Sequence, residues 1–224
     1  MTAARESHAG APARRPRAGG RFALAALALV ILVAACGVQA SPSAPTNGTC
    51  ATDIPRAAHT FPELEALLPL GMIEASPTTL DSGANCTRAS LGSYVGHGVG
   101  ELRFAGATWD YGGGEATVVA VFMTPAGQPA LEATWVEEFY TAGAVAGRTI
   151  NDVKTTRPVM RGAGQIFRLE VINNLSLQTV VVWPAGPHVR VVIVATNVEP
   201  GAARADHDQR VEIAVDVAAA VPAR

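Results

Sequence analysis

Residues 165–196 read Q-I-F-R-L-E-V-I-N-N-L-S-L-Q-T-V-V-V-W-P-A-G-P-H-V-R-V-V-I-V-A-T. Phe167, Leu169 and Val171 alternate with Arg168 and Glu170, so Gln165–Ile172 is expected to be a strand with one dry and one wet face. Leu175–Trp183 follows after Asn173-Asn174, a pair that tolerates the positive φ of a two-residue hairpin turn. Pro184-Ala185-Gly186-Pro187 punctuates the chain again. Val189–Thr196 is almost continuously apolar, as a central strand covered on both faces would be. Three neighbouring strands joined by tight turns make an antiparallel sheet, and that decides the fold.

Working outward, Glu101–Trp109 and Ala116–Met123 flank D-Y-G-G-G-E and predict a further hairpin. Ile150–Arg157 is a sixth, short candidate. Between them, Pro129–Ala142 changes to helical spacing. Leu131, Trp135, Phe139 and Ala142 form one stripe, Val136 and Tyr140 widen it, and Glu132, Glu137 and Glu138 stay outside. Gly143 and Gly147 are expected to terminate this helix. Phe61–Leu70 predicts a short helix capped by Thr60, with Pro62 in its first turn and Leu64, Leu67 and Leu68 on one face. Residues 71–98 are rich in Gly, Ser, Thr and Asn and predict an irregular excursion with a helical turn near Cys86–Leu91. A helix over about Ala203–Val221 closes the chain before Pro222. The expected fold class is α+β: a largely antiparallel sheet of about five to six strands, packed on one face against two to three helices, in a single domain.

The N-terminus has a different grammar. Phe22 to Ala35 is an unbroken apolar run of fourteen residues, preceded by Arg14, Arg15, Arg17 and Arg21. A basic segment and a short apolar run ending in small residues make a secretory signal, since a spanning helix needs about 20 apolar residues. Val33-Ala34-Ala35-Cys36 resembles the lipobox of bacterial lipoproteins, in which the cysteine is lipidated and becomes the new N-terminus. The resemblance implies a signal peptide over 1–35, an acylated Cys36 and attachment to the outer, extracytoplasmic face of the cell membrane. Ordinary cleavage after Ala34 or Ala35 is the alternative that the cysteine argues against. Arg14-Arg15 does not sit where a twin-arginine signal places its pair, so the export route stays open. Residues 36–49, small, polar and Pro-containing, read as a flexible tether. The globular part is expected over 50–224.

Charge supports this division. After position 35 the chain carries twelve basic and eighteen acidic residues, with Lys154 its only lysine. An acidic domain without a basic stripe excludes nucleic acid as a natural partner and gives no polybasic help at a membrane, leaving attachment to the lipid. With Cys36 acylated, Cys50 and Cys86 remain in a compartment that permits disulfides. Their bridge would close a loop of 37 residues, contributing on the order of 3–4 kcal/mol in the chain-entropy model. Zinc or a free nucleophile finds little support, with no C-x-x-C and no nearby His pair. Glu63–Pro69, E-L-E-A-L-L-P, followed by hairpins and an Ala- and Val-rich last helix, is similar to a layout recurring among lipoproteins of high-GC bacteria. That group lends no activity.

Catalytic signatures are absent: neither G-x-S-x-G nor S-x-x-K occurs, and Gly112-Gly113-Gly114 lacks the Lys-Ser/Thr of a phosphate loop. Asp206-His207-Asp208 is dense in ligand-type residues, but consecutive helical positions diverge, and Asp206 is better read as the cap of the last helix. Glu137-Glu138 reads as a solvated face, His97 and His188 as loop and turn histidines, and Trp109-Asp110-Tyr111 as a strand end packed on the core. Asn47, Asn85 and Asn174 begin Asn-x-Ser/Thr triplets without weight in a bacterial chain. No catalytic, cofactor-binding or metal-binding residue is assigned. The favoured function is a lipid-anchored cell-envelope lipoprotein whose non-catalytic domain binds a protein partner or an apolar small molecule on its sheet. The alternative is an envelope hydrolase-type enzyme using scattered residues such as Asp110, Glu115 and His97.

Overall fold

A computed structural model describes residues 50–72, 75–147, 150–173, 176–197 and 203–222. The leader, Cys36, the tether and Asn174 lie outside them. In chain order the elements are β1 (Ile54–Ala57), α1 (Pro62–Glu65), β2 (Thr79–Asn85), α2 (Arg88–Leu91), a 3-10 segment (Gly92–His97), β3 (Leu102–Gly112) and β4 (Glu115–Met123). Then come α3 (Ala133–Ala146), β5 (Ile150–Thr156), β6 (Val159–Met160), β7 (Gly164–Gln165), β8 (Phe167–Asn173), β9 (Ser176–Ala185), β10 (His188–Asn197) and α4 (Ala203–Ala220).

Eight strands pair antiparallel in the order β1-β2-β3-β4-β10-β9-β8-β5, and β6 and β7 form a separate ribbon. The α+β class and antiparallel pairing agree with the sequence, whereas the expected five to six strands are too few. β1 and β2 were hidden because I-P-R-A and T-L-D-S-G-A-N each carry a single β-branched residue and no run of alternating apolar residues. β2 exists because its neighbours impose it. A Cβ on Gly83 would lie 2.7 Å from the Ile54 carbonyl oxygen and 3.1 Å from the Phe104 ring, so glycine is what lets β1 and β3 close around it.

The sheet is covered on both faces, which corrects the expectation of helices on one. Pairing partners share a face, so the ladders divide the core in two. On the first face, Ala105, Ala107, Trp109, Val119, Val121, Val181, Trp183, Val192 and Val194 pack with α1 and with Val211, Ala214, Val215 and Ala218 of α4. On the second, Leu102, Val118, Ala120, Val180, Val182, Val191 and Ile193 pack with Leu91 and Tyr94 and with Val136 and Ala144 of α3. Val189–Thr196 is central as expected, between β4 and β9. Strands dry on both sides show no period of two, so their apolar runs do not reveal how many faces a helix covers.

Local details differ from the expected ones at the helix ends. Thr60 does not cap α1. Its hydroxyl donates to the Ala57 carbonyl, and Pro62 opens the helix behind Phe61. Ser82 ties α1 to β2 by accepting from the Phe61 N–H and donating to Glu65 Oε1, at 2.7 Å each. α3 starts at Ala133 and runs through Gly143 to Ala146. Asp206 lies in the exposed first turn of α4, which begins three residues before it, so it is not the cap.

Candidate functional site

The two faces of the sheet are not sealed equally. Val119, Val121, Val192 and Val194, under α4, are 0–1 % exposed, while Val118, Ala120, Ile193 and Ala195 on the reverse side of the same strands are 6–8 % exposed. The reason is where the helices lie. α3 packs on β5, β8 and β9, whereas the main helix contacts of β2, β3, β4 and β10 come from α1 and α4 on the other face. The α3 face of β4 and β10 is therefore buried, but closed slightly less tightly, with Leu91, Tyr94 and the partly buried Phe139 and Tyr140 in its cluster.

Arg56 lies at one edge of that face. It reaches from β1 over β2 and β3 because both carry glycine beneath it: a Cβ on Gly106 would lie 3.0 Å from Arg56 Nη2. Its guanidinium stands 5.7 Å from the Phe104 ring centroid. Nε and Nη2 both donate to Asp81 Oδ1, at 2.9 and 2.5 Å. Asp81 thus fixes the guanidinium plane, and Nη1 has no partner among the described residues. The side chain retains 28 % of its exposure.

Two tyrosines pack in the cluster on that face. Tyr94 of the 3-10 segment stacks on Phe139, with centroids 5.1 Å apart, and Phe139 meets Tyr140 edge-on at 5.6 Å. Tyr94 is 1 % exposed and Tyr140 is partly buried, and neither hydroxyl has a hydrogen-bond partner among the described residues. Burial pushes both phenols up, so both remain neutral donors at physiological pH. Arg56 opposes that rise at Tyr140, and Tyr140 reinforces it at Tyr94.

The residues singled out from the sequence lie elsewhere. Cys50 and Cys86 are joined in a disulfide, their Cα atoms 5.5 Å apart. Asp53 braces the Cys86 end by accepting from the N–H groups of Cys86 and Thr87 at 2.7 and 2.8 Å. Cys36 and Val33–Ala35 lie outside the described residues. Asp110, Glu115 and His97 do not converge. Glu115 binds Arg210 of α4 at 2.9 Å, and Asp110 accepts from the Gly112 N–H at the tip of the hairpin. His97 lies against α3 before the far end of β3, so at about 3.3 Å per residue roughly 30 Å of strand separates it from them.

Asp206-His207-Asp208 diverges as helical geometry requires. Asp206 is exposed and His207 is wholly buried. Asp208 meets Arg168 and Arg204 at 2.5 and 3.0 Å, and Arg204 also holds Glu170 at 2.5 Å. Among the described residues no cluster of His, Cys, Asp or Glu has the arrangement of a metal site. His188 is no surface histidine: it opens β10, buried, with burial and the neighbouring Arg190 pushing its pKa down. Trp109 is core, its indole N–H donating to the Ala75 carbonyl at 3.0 Å, and Tyr111 lies exposed under the Arg210 guanidinium. Glu137, expected in solvent, is buried against Arg157, with contacts of 2.6 and 3.1 Å.

Arg56, Asp81, Tyr94 and Tyr140 were not distinguished by the sequence. The signal available was Gly83 and Gly106, isolated glycines inside strands, which mark a close approach by another group. Compared with known proteins, the chain matches no family model, no curated protein and no solved structure. No helix of the described residues is long and apolar enough to cross a membrane.

Proposed function

We propose that the chain is a lipid-anchored protein of the cell envelope whose folded part acts by binding, with the less tightly closed α3 face of the sheet as its binding side. The basic and apolar leader ending in Val33-Ala34-Ala35-Cys36 supports the anchor and the extracytoplasmic location. The observation that carries the binding reading is the unequal closure of the central strands, 6–8 % exposed on one side and 0–1 % on the other. A binding site is concave, mostly apolar and furnished with a few placed polar groups. The α3 face has the composition, Val, Ala and Ile with the partly buried Tyr140 packed on them and Arg56 over Phe104 at one edge. Asp110, Glu115 and His97, in contrast, make no joint site for hydrolysis.

The test is native mass spectrometry of the full chain extracted from its own membranes. A copurifying small molecule that disappears in Arg56→Gln, with the melting temperature maintained, is the expected result. A ligand-free mass spectrum from gently extracted protein would count against the reading.

A further inference from the structure

We propose that α4 is an acid-released cover of the sheet: protonation of His207 lets the helix leave β9 and β10 while the strands stay paired, opening the tightly closed face at Val119, Val121, Val192 and Val194. This device lies on the face opposite α3 and does not depend on the binding reading above.

The lock is a buried imidazole with no charge waiting to receive it. His207 is wholly buried, with Nε2 2.7 Å from the Thr179 hydroxyl of β9 and Nδ1 2.8 Å from the Thr196 hydroxyl of β10. A neutral imidazole has one N–H and one bare nitrogen, so one hydroxyl accepts and the other donates. An imidazolium has two N–H groups. The hydroxyl that donated must then turn away, and a cation is left in the helix–sheet contact. Among the described residues no carboxylate meets the ring, because those around it are taken: Glu170 and Asp208 by Arg168 and Arg204, and Glu115 of β4 by Arg210. Lys154 of β5 stands opposite Glu170, Thr117 of β4 is neutral, and Asp206 is exposed. Burial, joined by Arg168 and Arg204 against Asp208 and Glu170, pushes the imidazole down to about 4.

The rest of the contact explains why α4 can leave alone. It contributes nothing to the strand ladders, and its core residues are Val211, Ala214, Val215 and Ala218, short side chains that each bury little apolar area. Arg204, Asp208 and Arg210 keep 35–46 % of their side-chain exposure, and ion pairs so exposed hold weakly. Arg190 clasps the far end through the Ala218 and Val221 carbonyls, a contact that mild acid does not titrate. At Glu170 and Asp208 the arginine hydrogen bonds outweigh burial, so both carboxyls titrate below their ordinary values and stay charged at about pH 5. His207 is therefore the member of this contact that responds first. The released helix binds its proton near pH 6.5 and the docked helix near 4, so docking is complete above about pH 6.5 and weakens toward pH 4. At about pH 5 the released state gains roughly 30-fold.

The experiment is hydrogen exchange read by mass spectrometry on the full chain in phosphatidylcholine nanodiscs, at about pH 7.5 and about pH 5, corrected for the intrinsic pH dependence of amide exchange. Amides of Val211–Ala218 should lose roughly 30-fold of their protection at the lower pH and regain it on return, while Val191–Val194 of β10 keep theirs. His207→Gln has no such proton to gain. Its α4 amides should exchange equally at the two pH values, whatever the glutamine does to docking itself. Unchanged α4 protection in the parent overturns the proposal. Equal loss in α4 and β10 overturns it as well, since that is unfolding of the whole domain. A pH difference that persists in His207→Gln assigns the response to another group and also overturns it. If the glutamine prevents folding, the comparison of α4 with β10 in the parent decides alone.

Discussion

The imidazole of His97 lies flat on the indole of Trp135, with ring centroids 4.6 Å apart and planes 9° apart. This stack turns Trp135 away from the sheet, and Val136, the next residue, takes the fully buried position. Trp135→Ala should therefore cost less than about 2 kcal/mol, well short of the 3–5 kcal/mol typical of a truncated core tryptophan. Val136→Asp places a carboxylate at the buried seam and should cost at least about 3–5 kcal/mol. Paired urea melts check both, and a Trp135→Ala protein that unfolds as readily as Val136→Asp contradicts the placement.

His207 should make the protein acid-sensitive. It is wholly buried, 2.7 Å from the Thr179 hydroxyl and 2.8 Å from that of Thr196, and burial pushes its pKa down to about 4. The unfolded chain binds this proton near pH 6.5 and the folded one near 4, so the unfolded state holds more protons between the two values. Stability is complete above about pH 6.5 and declines toward pH 4, by on the order of 2–3 kcal/mol from this group. Urea midpoints measured across that range should slope accordingly, and His207→Gln should flatten the slope.

The disulfide should be closed in the native protein. Both Cys50 and Cys86 should resist alkylation until reductant is added, and reduction should lower the melting temperature by releasing the loop in the unfolded chain. The expected loss is on the order of 3–4 kcal/mol. Complete alkylation of unreduced, folded protein is the contrary result.

Membrane attachment should depend on Cys36. Cys36→Ser should appear in the soluble fraction or accumulate as precursor, and the intact mass of the parent membrane form should include the lipid. An unmodified Cys36 in that form contradicts the anchor.

Gly83→Ala should loosen the β1–β2 edge, because its methyl would meet the Ile54 carbonyl at 2.7 Å. The expected cost is about 1–3 kcal/mol, measurable by melting and by faster amide exchange in Ile54–Ala57.

These cases show which parts of the fold the sequence could reveal. The β8–β9–β10 series was legible because Phe167, Leu169 and Val171 alternate and the turns carry Asn, Pro and Gly. β2 was not, because its conformation depends on β1 and β3 closing around Gly83, a tertiary fact with no local period. α3 was legible as a helix but not in its rotation. Its apolar residues form two adjacent stripes. The sheet takes Val136 and Ala144, and the 3-10 segment takes Trp135 and Phe139 through His97 and Tyr94. Residues 92–97 have no pattern that announces them as a partner, so a single seam was the expectation. Of the candidate site, only the strand glycines were visible in advance, since Arg56 gains meaning from Gly106, fifty positions further along.

The pairing of β4 with β10 joins positions as distant as Ala116 and Ala195. Until β10 is available, β4 offers T-V-V-A-V-F, residues 117–122, as a long, nearly uncharged, unpaired margin, the kind of strand that recruits other chains. Once the seam closes, the margins of the sheet are β1, four residues long with an irregular register, and β5, which displays Asp152 and Lys154. Short and charged margins resist edge-to-edge association. The central seam is therefore also the protein's protection against self-aggregation, and that protection begins only when the last strand of the sheet arrives.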